Sequence, residues 1–392
     1  MQGFRVVFNS EKGRPTPLMR RFDRRAVAEA AAFHRGFGEY APTPLTELGA
    51  TAAAFGIGNI LVKDESFRFG LNAFKVLGGS YCLGKLLSTR LGSEALLDAA
   101  ELRRRAAGLP PQTFVTATDG NHGRGIAWAA GYFGQRSVVY MPRGSAAERL
   151  ENIRRAGAEA EITPLLYDDT VRHAKAQAAA EGWQLVQDTA WEGYTEVPLL
   201  IMQGYLTIAA ELHEQLAGHV PTHIFLQAGV GSMAAALAAA LRDLLGAAPK
   251  IIVVEPNRAD CFFRTAAAAD GQLHAAEGEL DTIMAGLACG EPSAPAWELL
   301  ASCADAFVAM DDAAAARAMR ILAAPAGADT RIISGESGAA GCGALFEILQ
   351  DAQLREMFGI DAASLALCIS TEGATDKQNY RRIVWYGAYG NE

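Results

Sequence analysis

The chain has 392 residues, half of them apolar and a fifth charged, which is enough for two domains or for one large domain with a subdomain. Its net charge of -9 argues against nucleic acid as the main partner, because phosphate binding needs a basic face. The six cysteines (Cys82, Cys261, Cys289, Cys303, Cys342, Cys368) never stand at CxxC spacing, so no zinc or other metal site is expected and buried free thiols are the reading.

The first fourteen residues lack a long apolar stretch, so no signal peptide is read and the protein is expected in the cytoplasm. Residues 63–79 place Lys75 between Phe74 and Val76 in an apolar, helical stretch. Residues 113–118 read as a strand that leads through a glycine turn at 119–123 into a helix ending near Phe133. Strands at 137–141 and 160–164 precede helices around 146–156 and 169–181. The strand at 223–227 leads to the turn AlaGlyValGlySer and a helix to Leu245; the strand at 251–255 ends at Pro256; the strand at 365–370 leads to ThrGluGlyAlaThr. Residues 224–241 carry no charge and approach the length of a membrane span. A buried strand, a glycine turn and a buried helix explain them better, and no membrane partner is expected.

Apolar strands alternating with helices predict an α/β fold, with open, twisted, mostly parallel sheets flanked by helices. The block 82–188 holds several strand–helix units of its own and reads as a smaller inserted domain. Residues 1–81 and 189–392 then form the larger one.

Several segments carry candidate chemistry. A desolvated lysine at position 75 would hold a neutral amine able to form a Schiff base; the plainer reading is a surface lysine on an amphipathic helix. In ThrAspGlyAsnHisGlyArgGly (118–125), glycines and a helix start suit an anion. There Asp119 is a candidate base and Asn121 a side-chain donor, although both also suit helix capping. His122 reads as a structural histidine. GlnAlaGlyValGlySerMet (227–233) suits a phosphate cradle, but lacks both the Walker ending and the third glycine of GxGxxG. SerGlyGluSerGlyAlaAlaGly (334–341) and SerThrGluGlyAlaThrAsp (370–376) are further turns of this kind. Asp188 falls at a strand end, where a carboxylate could hold a substrate ammonium; Asp168 and Asp169 read as a solvated loop.

Taken in this order, the segments resemble the fold-type II pyridoxal-phosphate enzymes, from ProThrProLeu at about Pro42 to about Asp376. Within that superfamily they are most similar to the diaminopropionate ammonia-lyases. LeuAsnAlaPheLys (71–75), AlaThrAspGlyAsnHisGlyArgGly (117–125), AspThrAlaTrpGluGlyTyr (188–194), AlaGlyValGlySerMet (228–233), SerGlyGluSerGlyAla (334–339) and ThrGluGly (371–373) carry this likeness. Asp119 is the deciding residue, since dehydratases and synthases usually have serine or threonine there.

The resemblance implies pyridoxal 5'-phosphate held by the amine of Lys75, with Phe74 stacked on its ring. It implies phosphate contacts from Ala228, Gly229, Val230, Gly231, Ser232 and Met233. Asn121 then meets the phenolic oxygen and Thr371 the pyridine nitrogen, with Glu336 also in the cofactor site. The implied reaction converts 2,3-diaminopropionate, a small amino-acid substrate, to pyruvate and two ammonia. Lys75 serves as base for the L-isomer and Asp119 for the D-isomer, and Asp188 and Asp119 bind the distal ammonium. A homodimer is implied as well. The competing readings are a serine/threonine dehydratase or β-replacement synthase of the same fold and, further off, a non-catalytic pyridoxal-phosphate-binding protein.

Overall fold

β-Branched and aromatic runs fit a pleated, buried surface, and several of the eleven strands among the described residues form on such runs. In chain order they are β1 (Arg5–Phe8), β2 (Leu45–Glu47), β3 (Asn59–Asp64), β4 (Thr113–Ala117), β5 (Arg136–Met141), β6 (Glu159–Ile162), β7 (Gln184–Leu185), β8 (His223–Gln227), β9 (Lys250–Pro256), β10 (Ala306–Met310) and β11 (Leu365–Ser370). The structure is a computed structural model; it describes residues 3–118 and 120–390, apart from the side chain of Asp168.

Contacts divide the chain into two compact units, residues 1–24, 42–67 and 208–392, and residues 25–41 and 68–207. The first holds a seven-stranded sheet of order β1-β10-β9-β8-β11-β3-β2. Its five central strands run parallel, and the edge strands β1 and β2 pair antiparallel. Strands β8 and β10 are buried along their whole length, as expected when helices cover both faces. One apolar core joins Ile60, Val62, Phe225, Ile252 and Val308 of the strands to Leu345 and Ile348 of the helix Ala340–Gln350. The second unit holds a parallel four-stranded sheet of order β6-β5-β4-β7.

The units divide the chain elsewhere than at 81/82 and 188/189. The helix Val76–Arg90 runs unbroken through the first of these points. Its Gly78 lies so close to Ile201 and Tyr205 that a Cβ would come within 2.7 Å of each, which draws the stretch after residue 188 into the second unit. His34 adds the segment 25–41: its ring nitrogens bond Thr207 Oγ1 at 2.6 Å and Ser80 Oγ at 3.0 Å.

The uncharged stretch at 224–241 is a strand, a turn and the start of the helix Ser232–Leu245. No described helix is long and apolar enough to cross a membrane.

Candidate active site

The candidate residues are spread over both units, and each set is built within its own. In the second unit the approach to Lys75 is made of left-handed residues: Phe69, Gly70 and Asn72 have φ of 48°, 68° and 56°. Arg124 Nη1 donates to Leu71 O at 2.8 Å and fixes this turn. Lys75 then stands immediately before the helix Val76–Arg90 rather than within it. Gly125 seats against that point, where a Cβ would come within 2.9 Å of Val76 N and 3.1 Å of the Lys75 carbonyl carbon. The close approach requires glycine. Phe74 is buried and tilts against Tyr205, with ring centroids 4.8 Å apart.

The Lys75 amine meets a carboxylate. Its Nζ donates to Asp188 Oδ2 at 2.9 Å, with the side chains 18% and 6% exposed. Burial pushes the Asp188 carboxyl up, but the charge of Lys75, followed by that of His122, outweighs it and holds the group down at about 2. Asp188 is therefore an anion at any ordinary pH. His122 Nε2 donates to Val186 O at 2.9 Å. A carbonyl only accepts, so that nitrogen carries a proton, while Nδ1 lies 3.8 Å from Asp188 Oδ2. The reading of His122 as structural is thus incomplete, because the ring also borders the anion.

The neighbours of Asp188 hold it in place. Gln187, fully buried, accepts through Oε1 from Ala117 N at 3.1 Å and Thr116 Oγ1 at 3.0 Å. Its backbone N–H donates to Tyr194 Oη at 2.8 Å, and that hydroxyl donates to Leu185 O at 3.1 Å. Trp191 stacks on Tyr194 with centroids 4.3 Å apart. Asn121 opens the helix Asn121–Tyr132 directly after the β4 turn. Asp119 lies outside the described residues. Asp169 is exposed and pairs with Arg172, as a solvated acid does.

In the first unit, β8 feeds the turn of residues 228–231. Gly229 is wedged: a Cβ would come within 2.9 Å of Gly286 O and 3.0 Å of Leu287 Cα. Gly231 has φ of 86° and caps the helix Ser232–Leu245. The first N–H groups of a helix have no acceptor within it and carry the positive end of its dipole, so Val230, Ser232 and Met233 surround a place suited to an anion. Ala228 is anchored behind them by its N–H to Val254 O at 2.9 Å.

Two more turns stand beside this one. Gly335 N donates to Glu372 O at 2.9 Å, and Ser370 Oγ to Ser334 Oγ at 2.8 Å. Glu336, buried, accepts from Asn379 Nδ2 at 2.6 Å. Gln227 Nε2 donates to Thr371 Oγ1 at 3.2 Å, so Thr371 stands next to the start of the glycine turn. Sequence reasoning passed over Gln187 and Gln227 as site-building residues. The signal was present in both cases, an amide side chain ending an apolar strand segment. Among the described residues no cluster of three or more His, Cys, Asp or Glu could hold a metal.

One unit thus offers a half-buried amine paired with a carboxylate, and the other a glycine turn suited to an anion. The family model "Pyridoxal-phosphate dependent enzyme" matches residues 37–359, and the chain belongs to this family. It is 48% identical over 373 residues, 92% of each chain, to the diaminopropionate ammonia-lyase of Salmonella typhimurium. The crystal structure of selenomethionine-labelled holo diaminopropionate ammonia-lyase from Escherichia coli superposes with a TM-score of 0.93 at 45% identity, covering 99% of this chain and 98% of that one. The same enzyme in complex with D-serine gives 0.92 at 45% identity, covering 98% of each.

The residues present fit the family's cofactor, pyridoxal phosphate. Gly229 and Gly231 are packed against Gly286, Leu287 and Phe262 too closely for a side chain, which keeps the turn before the helix in the tight form that suits a phosphate. Thr371 is 4% exposed, and its hydroxyl proton has no acceptor among the described residues. Lys75 supplies the amine.

Proposed function

We infer that this chain is a carbon–nitrogen lyase that eliminates the β-amino group of 2,3-diaminopropionate, giving pyruvate and two ammonia. The observation that carries the reading is the ion pair between Lys75 Nζ and Asp188 Oδ2. An amine able to hold the cofactor lies against a buried, firmly ionised carboxylate, which is the partner a substrate ammonium needs and a hydroxyl does not.

Pyridoxal phosphate, when bound, supplies the electron sink that makes the Cα proton of an amino acid removable. Lys75 would hold it, with Phe74 against its ring and Asn121 at its phenolic oxygen. The turn Ala228, Gly229, Val230, Gly231, Ser232 and Met233 would hold the phosphate, Thr371 would donate to the ring nitrogen, and Glu336 would border it.

Lys75 Nζ, when not holding the cofactor, would serve as general base for the Cα proton on one face. Asp119 takes the proton of the opposite enantiomer from the other face. Asp188 Oδ2, released from Lys75, accepts hydrogen bonds from the distal ammonium and orients it to leave. A site built around a buried anion rejects an analogue that leaves the anion unpaired, so serine and threonine are poor substrates. The same reading has the chain act in the cytoplasm as a homodimer, with a small amino acid as its substrate.

The test is to incubate the holoenzyme with D- and L-diaminopropionate and with serine, and to follow pyruvate and ammonia. Pyruvate with twice its amount of ammonia from diaminopropionate is expected. A kcat/KM for serine equal to that for diaminopropionate overturns the reading in favour of a dehydratase. Asp119→Asn should lose D-activity far more than L-activity, and equal losses end the two-base assignment.

A further inference from the structure

Gln227 ends a strand that is otherwise apolar apart from His223, and it is 2% exposed. Its Nε2 lies 2.8 Å from Ile369 O, 3.1 Å from both Ser337 O and Gly338 O, and 3.2 Å from Thr371 Oγ1. Turning the amide over would set its oxygen against three carbonyl oxygens, so the chemistry of the neighbours decides which end is nitrogen. The other end is left without compensation: Oε1 is buried and has no hydrogen-bond partner among the described residues. Leaving a buried acceptor unpaired is destabilising. The arrangement tolerates that loss to put a donor among the Ser337–Gly338 turn, the end of β11 and Thr371.

The polarity of the Thr371 contact follows. An amide nitrogen has no lone pair to offer, so the contact is N–H donation into Oγ1. Thr371 cannot donate back, and its own proton must turn to another acceptor. Among the described residues it has none.

We propose that Gln227 is a positioning residue that makes the Thr371 hydroxyl a one-way donor toward the cofactor's ring nitrogen and so keeps that nitrogen unprotonated. The proposal rests on the reading of Thr371 given under Proposed function. A protonated ring nitrogen would itself be a donor. It would face an oxygen already receiving one hydrogen bond, and would strand the hydroxyl proton in a buried place. An unprotonated nitrogen withdraws less charge than a pyridinium. This suits prompt expulsion of a β-substituent over chemistry that needs a long-lived carbanion. One side chain next to the phosphate turn thereby sets the electronic character of the ring.

The test uses holoenzyme loaded with pyridoxal phosphate labelled with ¹⁵N in the ring, whose resonance reports protonation directly. The wild type should give the unprotonated signal across neutral pH. Gln227→Met, of similar length and without a donor, should move the signal toward the protonated range. Thr371→Val should do so too, and the double variant should go no further than Thr371→Val alone, since both act through one hydroxyl. Should Gln227→Met fail to fold or to load, Gln227→Asn, whose amide is one methylene short of Thr371, carries the same expectation. A protonated wild-type nitrogen overturns the proposal, and so does an unmoved signal in a folded, loaded Gln227 variant. If Thr371→Val alone leaves the signal unmoved, the Thr371 reading fails. If Thr371→Val moves it and the Gln227 variants do not, only the role of Gln227 fails.

Discussion

The surroundings of Lys75 and those of the glycine turn handle charge in different ways. The unit around Lys75 sets an ammonium against a carboxylate 2.9 Å away, with a histidine nitrogen 3.8 Å from the same oxygen. The glycine turn is met by backbone N–H groups, the amide of Gln227 and the hydroxyl of Thr371, with the buried Glu336 next to Ser337 in sequence. Charges that titrate and approach one another can move protons. Neutral dipoles fixed by strand and helix can hold an anion without competing for protons. Under the proposed function, proton transfer falls to the surroundings of Lys75 and retention of the phosphate end to the glycine turn.

The sharpest way to break this contrast is Lys75→Ala. It should lower kcat with diaminopropionate by on the order of 10⁴-fold, the upper end of what a positioned base contributes, while leaving phosphate-end binding of pyridoxal phosphate detectable by equilibrium dialysis. Loss of all cofactor binding would mean that retention is not chiefly the work of the glycine turn. Asp188→Asn comes next, with an expected drop of about 10²–10³-fold in kcat/KM for diaminopropionate and a much smaller change for serine. An equal loss for both substrates would make Asp188 a general support of Lys75 rather than the reader of the distal ammonium.

A smaller effect is expected on the neutral side. Gly231→Ala sets a Cβ 2.4 Å from Phe262 Cζ at a left-handed position. It should cost about 1–3 kcal/mol of stability, read from chemical denaturation, and weaken cofactor affinity before it changes the pH profile of kcat. The smallest effect on activity lies away from both sites, at Glu255. Burial pushes this carboxyl up to about 8 from its ordinary 4.5, against the pull of the Phe262 and Phe263 N–H groups. The folded state then binds a proton that the unfolded chain has released. Its contribution to stability is complete below about pH 4.5 and is lost as the pH rises to about 8. Melting temperature should fall across that interval, and Glu255→Gln should flatten the slope. An unchanged slope would remove Glu255 as its source.

The sequence made much of this legible. The strands expected at 113–118, 137–141, 160–164, 223–227, 251–255 and 365–370 were legible as apolar β-branched runs, and β8, β9 and β11 fall where expected, whereas β3 and β10 were not read and β7 only as the strand end before Asp188. The strands β1 and β2 were not read either, because antiparallel edge strands of four and three residues are too short for a pattern to emerge. Unit boundaries were less legible still. They depend on contacts such as Gly78 against Tyr205 and His34 against Thr207, between segments more than a hundred residues apart in sequence. Within the site, Lys75 and Asp188 were named from their motifs, but their pairing was not. Gln187 and Gln227 were missed because an amide has no chemistry of its own to advertise. Its value lies in which neighbours it joins.

The two short antiparallel strands that close the seven-stranded sheet bear on how the protein survives its own synthesis. A broad parallel sheet left open at its flanks would expose long rows of unsatisfied backbone groups, a template on which other chains could assemble into insoluble aggregates. Here β1 covers β10 and β2 covers β3, and what remains at each rim is only a few residues long. Removing Arg5–Phe8 would uncover the wholly apolar Ala306–Met310 and raise the tendency to aggregate.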